Sequence, residues 1–206
     1  GFMARIDSIS KTFEPSEHEA SIYESWQQAG CFQPSADPAR PPYTIVIPPP
    51  NITGQLHMGH ALDNTLQDLL IRVRRMQGYA ALWLPGTDHA SIATEARIVE
   101  AMRQEGLTKD GIGREAFLER AWKWKKEYGG RIIEQLKRLG ASCDWSRERF
   151  TMDEGLSNAV TQVFIDLYEK GLIYRGESTI NWCPPRRSSI PDSEVEHEAK
   201  AAFYWP

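Results

Sequence analysis

The chain has 206 residues, 41% hydrophobic and 25% charged, with a formal net charge of -4 at pH 7. That length can bury a sizeable core, and the composition is that of a soluble globular domain with a small appendage rather than a disordered chain. The acidic balance excludes a global attraction to nucleic acid, leaving any RNA contact to a local patch or to residues outside this sequence. Cys31, Cys143 and Cys183 lie far apart with no Cys-x-x-Cys pair. With no secretory leader and no long apolar span, the expected setting is a reducing cytosol, with no membrane association and no structural zinc. Gly1-Phe2-Met3 reads as an expression remnant before a natural start.

In chain order, Pro15 and Ser16 open a helical pattern through Ile22, Tyr23 and Trp26, with Trp26 expected in the core. Ala29-Gly30 ends it, and Phe32 to Pro42 is a proline-rich connector. Tyr43 to Ile47 is a β-branched, apolar run that stops at Pro48, Pro49 and Pro50, as a buried strand does where backbone donors run out. Gly54 is read as the turn. From Leu56 onward, Leu62, Leu66, Leu69, Leu70 and Val73 recur at helical spacing.

His57 and His60 are expected on the first turn of that helix, whose unpaired backbone donors favour anions. Gly59 between them would let a flat group or a phosphate approach the backbone. These features suggest a nucleotide site at the mouth of an open parallel sheet; the alternative is a solvated helix start with two ordinary histidines.

Gly78 ends the helix, and Tyr79 to Leu84 reads as a second strand, parallel to the first through a right-handed crossover. Arg72, Arg74 and Arg75 are read as solvated helix-end charge, with an RNA or phosphate contact as the alternative. The second strand emerges at the same sheet edge as the first, which brings Asp88 near Asn51 and His57. There Asp88 could pair with a substrate amine or cap the helix starting near Ser91.

Residues 92 to 105 continue as helix to a break at Gly106. A longer helix after Gly113 carries Phe117, Ala121, Trp124, Tyr128, Ile132, Leu136 and Leu139 on one face. Trp122 and Trp124 cannot share the centre of that face. Cys143 has no histidine nearby in sequence to activate it. Thr151 or Asp153 is expected to cap a helix whose apolar face is Val160, Val163, Phe164, Leu167 and Tyr168, ending at Gly171. Residues 172 to 176 and 178 to 183 read as short strands, after which prolines and a charged run interrupt the pattern.

Pro48-Pro49-Pro50-Asn51-Ile52-Thr53-Gly54-Gln55-Leu56-His57-Met58-Gly59-His60 resembles the first signature of the class I aminoacyl-tRNA synthetases in its valyl branch, with Pro50 to Gly54 pointing to that branch. Pro85 to Glu95 resembles the same branch, except that Ser91 stands for its usual glycine and Glu95 for its usual glutamine. Gly113-Arg114-Glu115, Trp124-Lys125, Asp153 to Ser157 and Leu167 to Gly176 resemble it too.

The resemblance implies an α/β fold: the first half of a Rossmann-like parallel nucleotide-binding fold with helical packing, plus the root of a connective insertion. It divides the chain into an N-terminal helix and lead-in (1–42), the first half of the catalytic domain (43–171) and the insertion root (172–206), with the editing domain absent. It implies His57 and His60 as catalytic donors and Thr53, His57, Gly59 and His60 at ATP. Pro50, Asn51 and Asp88 would bind the amino acid, Asp88 through the α-ammonium group. Asn51 would orient substrate, because an amide does not titrate usefully.

ATP with Mg2+, L-valine and tRNA(Val) are the implied partners, with no metal cage of the chain's own. The lysine-rich loop of the family's second half is missing, so a fragment, monomeric and weak or inactive alone, is expected. Two alternatives stay open: a non-catalytic ATP or aminoacyl-adenylate binding module, and another His-x-Gly-His nucleotidyltransferase.

Overall fold

The computed structural model describes residues 11–185 and 187–198. The chain divides into two compact units, Gly1–Val160 and Thr161–Pro206. In the first unit, α1 (Pro15–Gln28) starts with a proline in its first turn, where a missing N–H costs nothing. Its buried residue is Tyr23, whose hydroxyl donates to the Ala141 carbonyl at 2.6 Å and accepts from Trp145 Nε1 at 2.7 Å. Trp26 departs from the core expectation. It is 36% exposed and lies under the Arg72 guanidinium, 5.3 Å from the ring centroid.

A parallel sheet organises this unit. β1 (Pro42–Val46) pairs in register with β2 (Ala80–Leu84), from Pro42 beside Ala80 to Val46 beside Leu84. The helix between them, α2 (Met58–Met76), packs on both strands, which makes the expected strand, helix, strand crossover. Through Pro85, β2 runs into β3 (Gly86–Thr87), which pairs in parallel with β4 (Arg149–Phe150). The β2–β3 line is therefore central, with β1 on one side and β4 on the other.

Two helices connect β3 to β4. α3 (Ser91–Gln104) ends before Gly106, and α4 (Lys109–Arg138) is opened by Thr108, whose side chain accepts from Gly111 N. Gly113, at φ 78° and ψ 170°, interrupts α4, so the first turn precedes the expected start and the rest follows it. One core gathers Ile47, Ile52, Ile71, Trp83, Ile132, Leu136 and Cys143, all at most 2% exposed. Ile98, Met102 and Phe117 form a second cluster between α3 and α4. Trp124 packs against both clusters while Trp122 stays half-exposed, as two adjacent-face tryptophans must.

α2 inverts the simple reading of its apolar stripe. Leu62, Leu66, Leu69, Leu70 and Val73 are 40–65% exposed, whereas Asn64 and Ile71 are buried. Its inward side is held by polar bonds. Asp68 accepts from Ser142 N at 3.0 Å and Arg72 Nε at 2.7 Å, and Arg75 donates to the Ser142 carbonyl at 2.7 Å. Arg72 also reaches the Gly140 carbonyl, and Arg74 lies over Tyr43 and Tyr79. The arginine cluster is thus built into the fold, which neither solvation nor an RNA contact anticipated.

α5 (Glu154–Glu169) crosses the boundary between the units. In the second unit it ends at Glu169, two residues before Gly171 at φ +66°, and its Val163, Phe164 and Tyr168 are more than half exposed. Residues 172–176 form no strand, because an extended run becomes one only beside a hydrogen-bonding partner. A short hairpin pairs β5 (Trp182–Cys183) with β6 (Ser188–Ser189). Among the described residues no helix is long and apolar enough to cross a membrane, and no three His, Cys, Asp or Glu side chains cluster to hold a metal.

Candidate functional site

The carboxyl end of the sheet carries the sequence candidates in two corners. The first is the start of α2. His57 is its N-cap residue, in extended conformation at φ -120° and ψ 176°. Its Nδ1 accepts the Gly59 N–H at 3.1 Å, while His60 Nδ1 accepts the His57 N–H at 3.2 Å. This reciprocal pattern is a capping box made of two histidines, and it satisfies two backbone donors that a helix start leaves open.

Accepting at Nδ1 requires a lone pair there, so each ring is neutral and carries its proton on Nε2. Burial, reinforced by the adjacent His57 and opposed by Asp63, holds the His60 pKa below the ordinary histidine value. The two rings lie 3.9 Å apart between centroids. Two neutral Nε2–H donors therefore stand at the positive end of a 19-residue helix.

Gly59 serves this arrangement directly. A Cβ built there would come within 2.9 Å of His57 Cε1 and 3.0 Å of its Nδ1, so the clearance expected for a nucleotide is first needed by the His57 ring. Gly54 differs: it lies outside the left-handed region, and no atom comes within 4 Å of an added Cβ. The bend there does not demand glycine. Thr53 is half-buried in the same turn, and Leu56 N donates to Gln135 Oε1 at 3.0 Å, which ties the approach to α2 onto α4.

The second corner joins three chain segments. Beyond the prolines, Asp88 N donates to the Pro50 carbonyl at 2.9 Å and Ile52 N donates to the Asp88 carbonyl at 3.0 Å. These bonds make a parallel bridge that sets Asn51 beside Asp88. Pro50 is buried and Asn51 exposed. On the other side, Thr151 N donates to the Thr87 carbonyl at 3.2 Å, so the end of β4 arrives next to Asp88.

Asp88 Oδ1 accepts from Ala90 N at 3.0 Å and from the Thr151 hydroxyl at 3.2 Å. Its side chain is 35% exposed, and among the described residues its Oδ2 has no protein partner. Asp88 thus stabilises the turn ahead of α3 without being its cap residue: that is Ala90, which makes no side-chain cap bond. Ala90 and Ser91 both have positive φ, 51° and 31°, where L residues are strained. Glu95 meets Lys109 Nζ at 2.5 Å, which offsets its charge locally.

Thr151 was legible only as one of two possible helix caps. Asp153 takes that role, accepting Leu156 N at 2.8 Å; this bond and the Arg149 guanidinium hold its carboxyl down at about 2. Thr151 is left to face Asp88 and His89. Cys143 is buried with its thiol pKa raised by that burial, the opposite of an activated nucleophile.

Residues 21–205 match the family described as tRNA synthetases class I (I, L, M and V). The chain is 59% identical over 197 residues to a valine--tRNA ligase of Geobacter sulfurreducens, covering 96% of this chain and 22% of that protein. It is 58% identical over 199 residues to a valine--tRNA ligase of Carboxydothermus hydrogenoformans, covering 96% and 23%. The chain therefore spans less than a quarter of the length of these curated relatives. In fold it is similar to the LeuRS-tRNA-LeuAMS ternary complex of Agrobacterium radiobacter K84, with a TM-score of 0.71 and 21% identity over 89% of this chain and 22% of that one.

Proposed function

The chain belongs to the class I tRNA synthetases of the I, L, M and V group, and from that premise we propose that it carries the first part of a site that activates valine with ATP. The observation that carries this reading is the parallel bridge between Asn51 and Asp88, which holds a half-exposed carboxylate at the sheet edge from which α2 also starts. In the proposed reaction the valine carboxylate attacks the α-phosphorus of ATP. The bond to the leaving pyrophosphate breaks and valyl-adenylate forms. A hydroxyl of the terminal ribose of tRNA(Val) then takes the valyl group in the cytoplasm, and the acyl–phosphate bond breaks to release AMP. Mg2+ enters as part of the ATP substrate.

Each corner has a separate task. Asp88 takes the α-ammonium group through a charge-assisted bond, Asn51 orients the substrate, and Pro50 lines the side-chain pocket. At the α2 start, with Thr53 and Gly59 beside the nucleotide, His57 and His60 donate Nε2–H to phosphate oxygens as negative charge builds on them. Fixed neutral donors at a helix N-terminus suit that task because they need no reorganisation during the reaction.

The reading is tested by valine-dependent exchange of pyrophosphate into ATP, with isoleucine and threonine as competitors and His57→Ala and Asp88→Ala as controls. Exchange that requires valine and falls in both variants supports it; exchange indifferent to both variants overturns it. The chain's 22% share of its relatives' length favours one second reading, binding of the adenylate without turnover by this chain alone. Binding of a non-hydrolysable valyl-adenylate analogue with no exchange would select that reading.

A further inference from the structure

Resting on the reading of Asp88 as the ammonium ligand, we propose that Thr151 is a positioning residue that aims the Asp88 carboxylate and so sets the affinity for the amino acid. Its hydroxyl has one proton to give and two lone pairs to fill, and three groups surround it. The His89 N–H donates to it at 2.9 Å, His89 Nδ1 lies at 2.5 Å, and Asp88 Oδ1 lies at 3.2 Å.

One arrangement satisfies all three contacts. His89 carries its proton on Nδ1 and donates it to Thr151 Oγ1, whose own proton goes to Asp88 Oδ1. Were the hydroxyl to donate to His89 instead, Asp88 would lose that bond. The hydroxyl therefore fixes the Asp88 rotation, and Asp88 Oδ1, 3.4 Å from His89 Nδ1, favours the same His89 tautomer.

The backbone places Thr151 for this role, since its N–H is bonded to the Thr87 carbonyl one residue before Asp88. With Oδ1 held by Thr151 and by Ala90 N, Oδ2 remains for a cationic ligand. A carboxylate held at one oxygen presents the other at a defined angle, and one free to rotate loses that preorganisation. Thr151→Val keeps the shape but removes the hydroxyl.

The test is made in the full-length natural protein that carries this sequence, by pyrophosphate exchange with KM measured separately for valine and ATP. Thr151→Val is expected to raise the valine KM about tenfold, the scale of one hydrogen bond to a charged group, with the ATP KM unchanged. Thr151→Ser, which retains the hydroxyl, restores the valine KM to within about twofold. Asp88→Asn abolishes valine saturation.

An unchanged valine KM in Thr151→Val, with saturation lost in Asp88→Asn, overturns the role of Thr151 alone. So does a rise in both KM values that serine does not rescue, since that reports only a disturbed fold. Normal valine saturation in Asp88→Asn overturns the reading of Asp88 beneath it.

Discussion

The two corners of the site are built differently. At the α2 start, the side-chain bonds of His57 and His60 run within three residues of chain. At Asp88, the carboxylate is bonded to a hydroxyl 63 residues away, and its backbone is bridged to a third segment around Asn51. The first corner keeps its geometry wherever α2 forms. The second exists only when three strand ends are in place, so it reports on tertiary structure as the first does not.

The largest test of this difference attacks what links the corners. Trp83 is fully buried in β2, and its Nε1 donates to Gln67 Oε1 of α2 at 3.0 Å. Trp83→Ala is expected to cost about 3–5 kcal/mol in urea unfolding, through lost burial and the cavity left behind. Near the unfolding transition the Asp88 corner should fail first. Amide exchange would show loss of protection at Ile52 and Asp88 before loss within α2; simultaneous loss would break the comparison.

A smaller effect sharpens it from the other side. Ser91 sits at φ 31° in the turn beside Asp88, so Ser91→Gly is expected to raise stability by about 0.5–1 kcal/mol. The check is a higher denaturation midpoint at unchanged m-value, and a lower midpoint would show that the turn is not strained. No comparable gain is available at the α2 start, where His57 is in ordinary extended backbone.

The smallest effect is pH dependence at the local corner. The His60 pKa is lowered by folding, so the unfolded chain binds its proton more tightly. The contribution is fully present above the unfolded histidine value, about 6.5, and is lost as pH falls below it. Protonating Nδ1 would also end its bond to the His57 N–H. His60→Gln is expected to flatten this acid limb in denaturation curves; an unchanged limb would assign it to other groups.

Much of the fold was readable because it is written locally. The proline stop after Ile47, the crossover and the helix-start histidines all follow from residue type and short spacing, and parallel pairing then carries Asp88 to Asn51. The face of α2 was not readable. Periodicity showed an apolar stripe from Leu62 to Val73, but which face meets the sheet depends on Asp68, Arg72 and Arg75 finding partners at Gly140 and Ser142. Trp26 misled for the same reason: its neighbour Tyr23 holds the buried position by bonding to Ala141 and Trp145.

By itself, then, the sequence determined the family signatures, the order of the helices and of the first two strands, and the placing of two histidines at a helix start, all of which depend on residues within a few positions of one another. Tertiary structure alone decided that Asp153 rather than Thr151 caps α5, that Thr151 meets Asp88, and that Ser91 adopts a left-handed backbone. A hydroxyl has several possible partners within reach of its own chain, and only the docking of β4 beside β3 selects the one 63 residues away.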